Sequence, residues 1–294
     1  MKKRKISVSE IVAIIVFTLF SLCCLIPFLL IVSVSLSNEK EIVDFGYRLI
    51  PKTWDLQAYK FILMNPGQIL SAYKITIITT VVGTAMGVFF MAMIGYALAV
   101  NTFKLRKQVT FFLFFTMLFS GGMVASYIFI TQYLHLKNSI WVLILPSLIS
   151  PWHVFIIRTF FQGIPQSLRE SARIDGANEI LIFIKIFLPI SKPVIATVAF
   201  MGAMTRWNEW YSVLLYITDE KLMTLQYFLQ RIMLQAELLR EYAVAGDVDM
   251  TGFSIPTETV KMAMTVVAAG PMMCVFPFFQ KYFVKGMTVG SVKG

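Results

Sequence analysis

The sequence predicts an all-α polytopic membrane protein with six transmembrane helices and a polar helical segment between the fourth and fifth. Three observations carry this expectation. Of the 294 residues, 57% are hydrophobic and only 14% are charged, whereas a soluble domain carries roughly a quarter charged residues. The apolar residues fall into runs of about 18 or more, the length that crosses a bilayer. Lysine and arginine gather in alternate connecting segments, as the positive-inside rule requires.

The expected spans are 11–36, 71–100, 109–131, 139–158, 193–217 and 259–280. The first follows MKKRKISVSE and has the look of a signal sequence. Its apolar run is too long and no small-residue cleavage site follows, so it is expected to stay as an uncleaved span. The second is long enough to tilt or to extend beyond the lipid. Few residues, HLKN among them, separate the third and fourth, which predicts a tight hairpin. Pro27, Pro146, Pro151, Pro271 and Pro277 lie in spans and predict kinks, tolerated where neighbours satisfy the freed carbonyls. No internal repeat, low-complexity tract or soluble domain is visible, so residues 1–294 are expected to form a single transmembrane domain.

Charge sets the orientation. With the N-terminus inside, the inner segments hold Lys2, Lys3, Arg4 and Lys5, then Lys104, Arg106 and Lys107, then Arg158, Arg169, Arg173, Lys185 and Lys192, and finally the tail lysines. The outer segments 37–70 and 218–258 hold fewer cations and most of the carboxylates. Both termini are therefore expected to be cytoplasmic. The net charge of +10 is then a topology signal and an anionic-lipid contact rather than a nucleic-acid footprint. In the second outer segment Leu222, Leu225, Leu229, Ile232, Met233 and Ala236 recur at helical spacing. That helix either caps the bundle at the membrane surface or docks an external partner. Cys23, Cys24 and Cys274 sit in apolar runs and read as small buried hydrophobes. His135 and His153 lie apart. There is no Walker A sequence, metal cluster or nucleophile–base pair, so the chain is not expected to be an enzyme.

The most informative segment runs from Glu170 to Pro189. Gly163 and Pro165 end the helix before it. Ser167 is the expected N-cap of a short helix, with Glu170 closing a capping box. Gly176 can take the left-handed conformation that ends a helix. Asn178 can cap a second helix, Glu179 to Phe187, which Pro189 ends. Local helix chemistry explains each of these residues singly. The spacing says more: Glu170-Ser171-Ala172, three residues, Gly176, nine residues, Ile186-Phe187-Leu188-Pro189. This resembles the EAA loop of bacterial ABC importer permeases, with Ser171 the one departure. Asp175-Gly176-Ala177 is similar to the carbohydrate-importer branch. The Arg206-Trp207-Asn208-Glu209-Trp210 stretch and the tail QKYFVKGMTVGSVKG resemble the maltose-type second permease subunit. Overall likeness points to permeases of complex-oligosaccharide and aldouronate uptake in Gram-positive bacteria.

The resemblance implies a type I importer permease in a bacterial cell membrane, carrying oligosaccharides. It implies that loop 163–189 holds a coupling helix. Glu170, Ser171, Ala172, Asp175, Gly176, Ile186 and Pro189 would dock that loop in a cleft of a cytoplasmic ATPase dimer. It further implies a second homologous permease and an extracytoplasmic solute-binding protein meeting loop 218–258. The C-terminal tail would reach the ATPase. No cofactor belongs to this chain; ATP and Mg would be bound by the partner ATPase.

Ionisable residues within a span are candidates for function. Arg206 and Glu209 are three apart on a helix and could pair. They form either a structural ion pair or, with Trp207, Asn208 and Trp210, an aromatic and polar wall for sugars. Met123, Tyr127, Met201 and Met204 are further candidates for the same cavity. Two other readings stay open: an ABC importer of another polar solute, and an ion-coupled secondary transporter with Arg206 and Glu209 as its relay.

Overall fold

A computed structural model describes residues 8–64, 66–244 and 257–290. Lys2 to Lys5, the stretch 245–256 of the outer loop and tail residues 291–294 lie outside the described residues. The elements in order are α1 (Val8–Ser35), α2 (Glu39–Phe45), α3 (Gln57–Ile62), α4 (Pro66–Ala99), α5 (Arg106–Leu118) and α6 (Gly122–Ile128). A π turn, Phe129–Tyr133, extends α6, and a 3-10 turn follows at Ile140–Leu143. Next come α7 (Pro151–Gln162), α8 (Gln166–Ile174), α9 (Glu179–Ile182), a π turn at Phe183–Phe187 and α10 (Leu188–Ile190). The chain ends with α11 (Lys192–Trp207), α12 (Tyr211–Tyr216), α13 (Leu225–Val244) and α14 (Glu258–Gly290). Among the described residues there is no strand, only an isolated bridge between Ser37 and Trp54.

The expectation of an all-α membrane chain holds, but the spans are less regular than six. Among the described residues, three helices are long and apolar enough to cross a membrane: Ser9–Ser35, Pro66–Ala99 and Glu258–Gln280. Two more arise only when bent pairs count as one: Arg106–Leu118 with Gly122–Tyr133, bent by 116°, and Glu179–Ile190 with Lys192–Trp207, bent by 83°. The stretch 139–158 is not one helix. Pro146 lacks a backbone donor, and Ser150, preceding Pro151, is pushed to extended geometry (φ −102°, ψ 115°). The segment therefore runs 3-10 turn, irregular backbone, then α7. The fifth expected span is likewise interrupted, between α11 and α12.

The described residues divide into two compact units, within Met1–Pro66 with Leu229–Pro271 and within Gly67–Phe228 with Met272–Gly294. In the larger unit, one core joins Met91, Ala92 and Tyr96 of α4 to Phe161 of α7, Phe183 and Phe187 of the π turn, and Val198 of α11. Aromatic edges lock it, with Tyr96–Phe187 at 4.8 Å and Phe161–Phe187 at 5.6 Å. A second core joins Ile75, Ile130, Val142 and Val213, and Tyr127 stacks on Tyr216 at 5.7 Å. The HLKN connection is a tight turn in which His135 and Asn138 take positive φ, 49° and 56°. The Asn138 carboxamide oxygen accepts from the amides of Thr218 and Asp219 at 3.1 and 2.9 Å.

In the other unit, the apolar window of α1 buries nothing, as expected of a helix whose surface meets lipid, so Cys23 and Cys24, like Cys274 of α14, are exposed rather than buried as the sequence predicted. Its last residues turn polar: the Ser33 hydroxyl donates to the Arg48 carbonyl at 2.7 Å, and the Ser35 hydroxyl lies 2.9 Å from that of Tyr59. Asn38 caps α2 by accepting from the Lys40 amide. The next residue, Glu39, is only 6% exposed, and its carboxylate reaches the start of α14. It accepts from the backbone amides of Thr257, Glu258 and Thr259 at 2.9–3.1 Å and from the hydroxyls of Thr257 and Thr259. A helix start has orphan donors and partial positive charge, so an anion there is stabilising. Hydrogen bonds to a charged group contribute about 1.5–3 kcal/mol. Glu39→Ala is therefore expected to destabilise the purified chain by roughly 2–3 kcal/mol in detergent denaturation. Glu39→Gln, which keeps one acceptor oxygen but no charge, should lose about half as much.

Candidate functional site

Two constructions stand out, both within the larger unit. The first is the polar segment between α7 and α11. Helix α8 starts at Gln166, with Pro165 at the N-cap position and no side-chain cap. The expected capping box is absent. The helix begins two residues early, so the Ser167 hydroxyl lies inside the first turn rather than ahead of it, and Glu170 is exposed. The far end behaves as expected. Gly176 takes φ +82°. The Gly176 amide donates to the Arg173 carbonyl at 3.0 Å and the Ala177 amide to the Ala172 carbonyl at 2.9 Å. This is the Schellman pattern, which only a residue tolerant of positive φ closes without strain. Asn178 then accepts from the Leu181 amide at 2.8 Å and caps α9.

Pro189 does not end the second helix where the sequence suggested. The chain stays helical to Ile190 and turns at Ser191. The reason lies upstream. In the π turn Phe183–Phe187 the Leu188 amide donates to the Phe183 carbonyl, five residues back. The widened turn makes room for the proline ring, which would otherwise meet the carbonyl four residues earlier. Ile186 packs half-buried on the core, as Ala172 does.

Glu170, Ser171, Asp175 and Gly176 are all exposed, and Ile174 is 86% exposed. Helix α8 thus shows an outward face with an uncovered apolar residue. Its inward face is held by a residue the sequence did not single out. Arg169, 8% exposed, donates to both carboxylate oxygens of Glu179 at 2.8 and 3.2 Å and to the Thr102 hydroxyl at 3.2 Å. The Glu179 bonds push the guanidinium's pKa up, while burial opposes them. The Tyr96 hydroxyl of α4 donates to Glu179 at 2.6 Å. Arg173 adds an exposed contact at 3.3 Å. A bidentate Arg–carboxylate fork is geometrically specific, so this cluster fixes α8 on α4. Only the reversal at Gly176 brings Arg169 and Glu179 together, so spacing alone could not pair them.

The second construction lies where three apolar segments lose helical structure. Arg206, 7% exposed, sits in the last turn of α11. It donates to the Ser147 carbonyl at 2.8 Å, to the Ser147 hydroxyl at 2.9 Å and, at 3.5 Å, to the Ile144 carbonyl. Its partner is therefore the irregular backbone after the 3-10 turn, not Glu209. The Arg206–Glu209 pair that an unbroken helix would allow does not form. Helix α11 stops at Trp207, and the Glu209 carboxylate instead accepts from the Ser212 amide at 2.8 Å, starting α12. The guanidinium fits because α4 is bare beside it. A Cβ on Gly83 would lie 2.7 Å from Arg206 Nη1, and one on Gly87 would lie 2.7 Å from the Leu148 carbonyl oxygen.

Beyond the break, the Tyr211 hydroxyl donates to Met123 Sδ at 2.9 Å, just past the bend between α5 and α6. The breaks at 119–121, 144–150 and 208–210 are thus tied to one another through Arg206 and Tyr211. Trp207 is buried. Asn208 is exposed and accepts from Gln226 at 3.1 Å, and Trp210, 38% exposed, meets Tyr211 edge-on at 5.8 Å. Met201 is exposed and Met204 half-buried.

Comparison with known proteins places this geometry. A family model described as "binding-protein-dependent transport system inner membrane component" matches residues 91–289. The chain belongs to that family. Its relatives include a polygalacturonan/rhamnogalacturonan transport system permease protein of Bacillus subtilis strain 168, 38% identical over 94% of this chain and 95% of the relative. An arabinooligosaccharides transport system permease protein of the same organism is 32% identical over 98% and 97%. Among solved structures, a bacterial ABC transporter involved in the import of the acidic polysaccharide alginate contains a chain with TM-score 0.79 and 28% identity, covering 96% of this chain and 99% of that one. This member of the family is accordingly a multi-pass membrane permease of the ABC importer type.

Two substitutions test the constructions. Arg169→Met removes the fork and should lower stability by about 1.5–3 kcal/mol. Loss of protection from proteolysis within α8 should appear before global unfolding. Gly87→Ala puts a methyl against a backbone carbonyl that cannot swing aside. It should cost about 1–3 kcal/mol by thermal unfolding in detergent, whereas Gly67→Ala, with open space around it, should cost far less.

Proposed function

We propose that this permease forms half of the translocation pathway of an ATP-driven oligosaccharide importer and is driven through α8. A second homologous permease supplies the other half. Two ATPase copies bind ATP and Mg on the cytoplasmic side, and an extracytoplasmic solute-binding protein delivers the sugar to the outer segments around 218–258. Six membrane crossings, with both termini cytoplasmic, put α8 on the ATPase side; bends and breaks interrupt three of them. The observation that carries the reading is the exposed face of α8 on a rigid mount. Glu170, Ser171, Asp175 and Gly176 stand free, while Ala172, Ile186 and the Arg169–Glu179 fork hold the helix from behind. Such a mount converts closure of a docked ATPase into movement of the helices it is fixed to. Pro189 and the π turn set the angle at which the mount meets α11.

For the sugar, irregular backbone at membrane depth is tolerated where it lines water or is covered by protein. The three linked breaks supply such a lining. Asn208, Glu209 and Trp210 offer hydrogen-bonding groups and an aromatic face to it, and Arg206 and Trp207 support it from inside. The relatives' names, polygalacturonan/rhamnogalacturonan and arabinooligosaccharides, support an oligosaccharide cargo. An ion relay through Arg206 and Glu209 is disfavoured, because backbone groups engage both side chains.

Gly176→Arg tests the coupling. A side chain at Gly176 meets open space, so the substitution strains only the local φ, by about 1–2 kcal/mol. The variant should insert and assemble with its partners in proteoliposomes, yet lose ATPase stimulation by the loaded binding protein. Stimulated ATPase that persists at the unsubstituted level would refute the docking role of α8.

A further inference from the structure

Where α5 begins and α7 ends, the larger unit has an open cavity of about 700 Å³. Arg106, Lys107 and Arg158 face it, and among the described residues no carboxylate lines it. The walls are Phe111, Phe114 and Phe155, and Phe111 and Phe114 are exposed. The polar groups are incompletely satisfied. Arg106 donates to Asn101 at 2.6 Å. Among the described residues, Arg158 reaches the Thr110 hydroxyl, at 3.4 Å, and its buried Nε has no hydrogen-bond partner. A buried donor without an acceptor is unfavourable, and three clustered cations without a counter-charge repel one another. The cavity beside Tyr96 differs, because Glu179 there already pairs its arginines.

One kind of molecule answers all three features. It brings acceptor oxygens for Arg158, negative charge for the triad and apolar chain for the phenylalanines. We propose that this cavity binds an anionic phospholipid, its phosphate among Arg106, Lys107 and Arg158 and its acyl chains along Phe111, Phe114 and Phe155. Inorganic phosphate would satisfy the cations but leave the aromatic wall bare. The proposal rests on the membrane topology above and not on the docking of α8, so either can fail alone.

Native mass spectrometry of the assembled transporter tests it, in mixed micelles containing equal phosphatidylglycerol and phosphatidylcholine. The unsubstituted complex should retain phosphatidylglycerol over phosphatidylcholine by at least about ten-fold. Each cation near a lipid surface is worth about five-fold in binding, so the Arg106→Gln/Arg158→Gln double variant should lose most of that preference. Phe111→Ser should weaken retention of both lipids without changing their ratio. Should the double variant fail to assemble, Lys107→Gln alone should still reduce the preference by about five-fold. Equal retention of the two lipids by the unsubstituted complex would overturn the proposal, as would a preference unchanged in the variants. Complete displacement by millimolar inorganic phosphate would assign the site to a free anion instead. Lipid selectivity seen with the isolated chain but lost in the complex would assign it to a partner subunit.

Discussion

Inside a bilayer no water is available to pair a stray carbonyl, and each unpaired group costs several kcal/mol. That constraint shapes the larger unit. Pro146 and Pro151 make a continuous fourth helix impossible, so carbonyls near Ser147 need donors from elsewhere. Arg206 supplies them. Its guanidinium offers a planar fork of donors. Room for that fork requires α4 to be bare at Gly83 and Gly87, and anchoring it at the end of α11 leaves Glu209 to start α12. One substitution pattern in the sequence, two prolines, two glycines and an arginine, thus describes a single physical solution.

The segment carrying α8 solves a different problem, a helix that must protrude without wobbling. Two ion contacts hold it, and they are unequal. The Arg173–Glu179 contact is exposed, and exposed pairs contribute about 0–1 kcal/mol. The Arg169 fork is sheltered and made of charge-assisted hydrogen bonds, so it dominates. Tyr96 joins both levels. Its ring packs against Phe183 and Phe187, and its hydroxyl meets the carboxylate. The π turn allows both contacts at once by letting Pro189 sit in the helix without breaking it.

Long apolar runs and charge bias made α1, α4 and α14 readable in advance, because length and hydropathy alone define such helices. Glycine at 176 and Asn178 were readable too, since turn and cap chemistry is local. Three things were not. Ser167 and Glu170 satisfy a capping pattern, yet Pro165 starts the helix two residues early, and a pattern of spacings does not register that shift. Arg206 and Glu209 are at pairing distance on an unbroken helix, but the helix ends between them. Arg169, Glu179 and Tyr96 come from three elements, and no periodicity links position 96 to positions 169 and 179. The readable part is local or compositional, and the unreadable part is tertiary.

Glu39 carries a consequence for the order of events during synthesis. Its carboxylate is held by donors some 218 to 220 residues downstream. A ribosome delivers α2 long before α14 exists, and chains generally fold from the N-terminus as they emerge. A carboxylate destined to be almost wholly buried must therefore wait in contact with water until Thr257 to Thr259 have been made. The start of α14 acts as a late latch on the smaller unit. Any ribosomal pause or truncation before Thr257 leaves that latch open, marking the unfinished protein with an exposed charge beside an apolar helix, the sort of surface that quality-control proteases recognise.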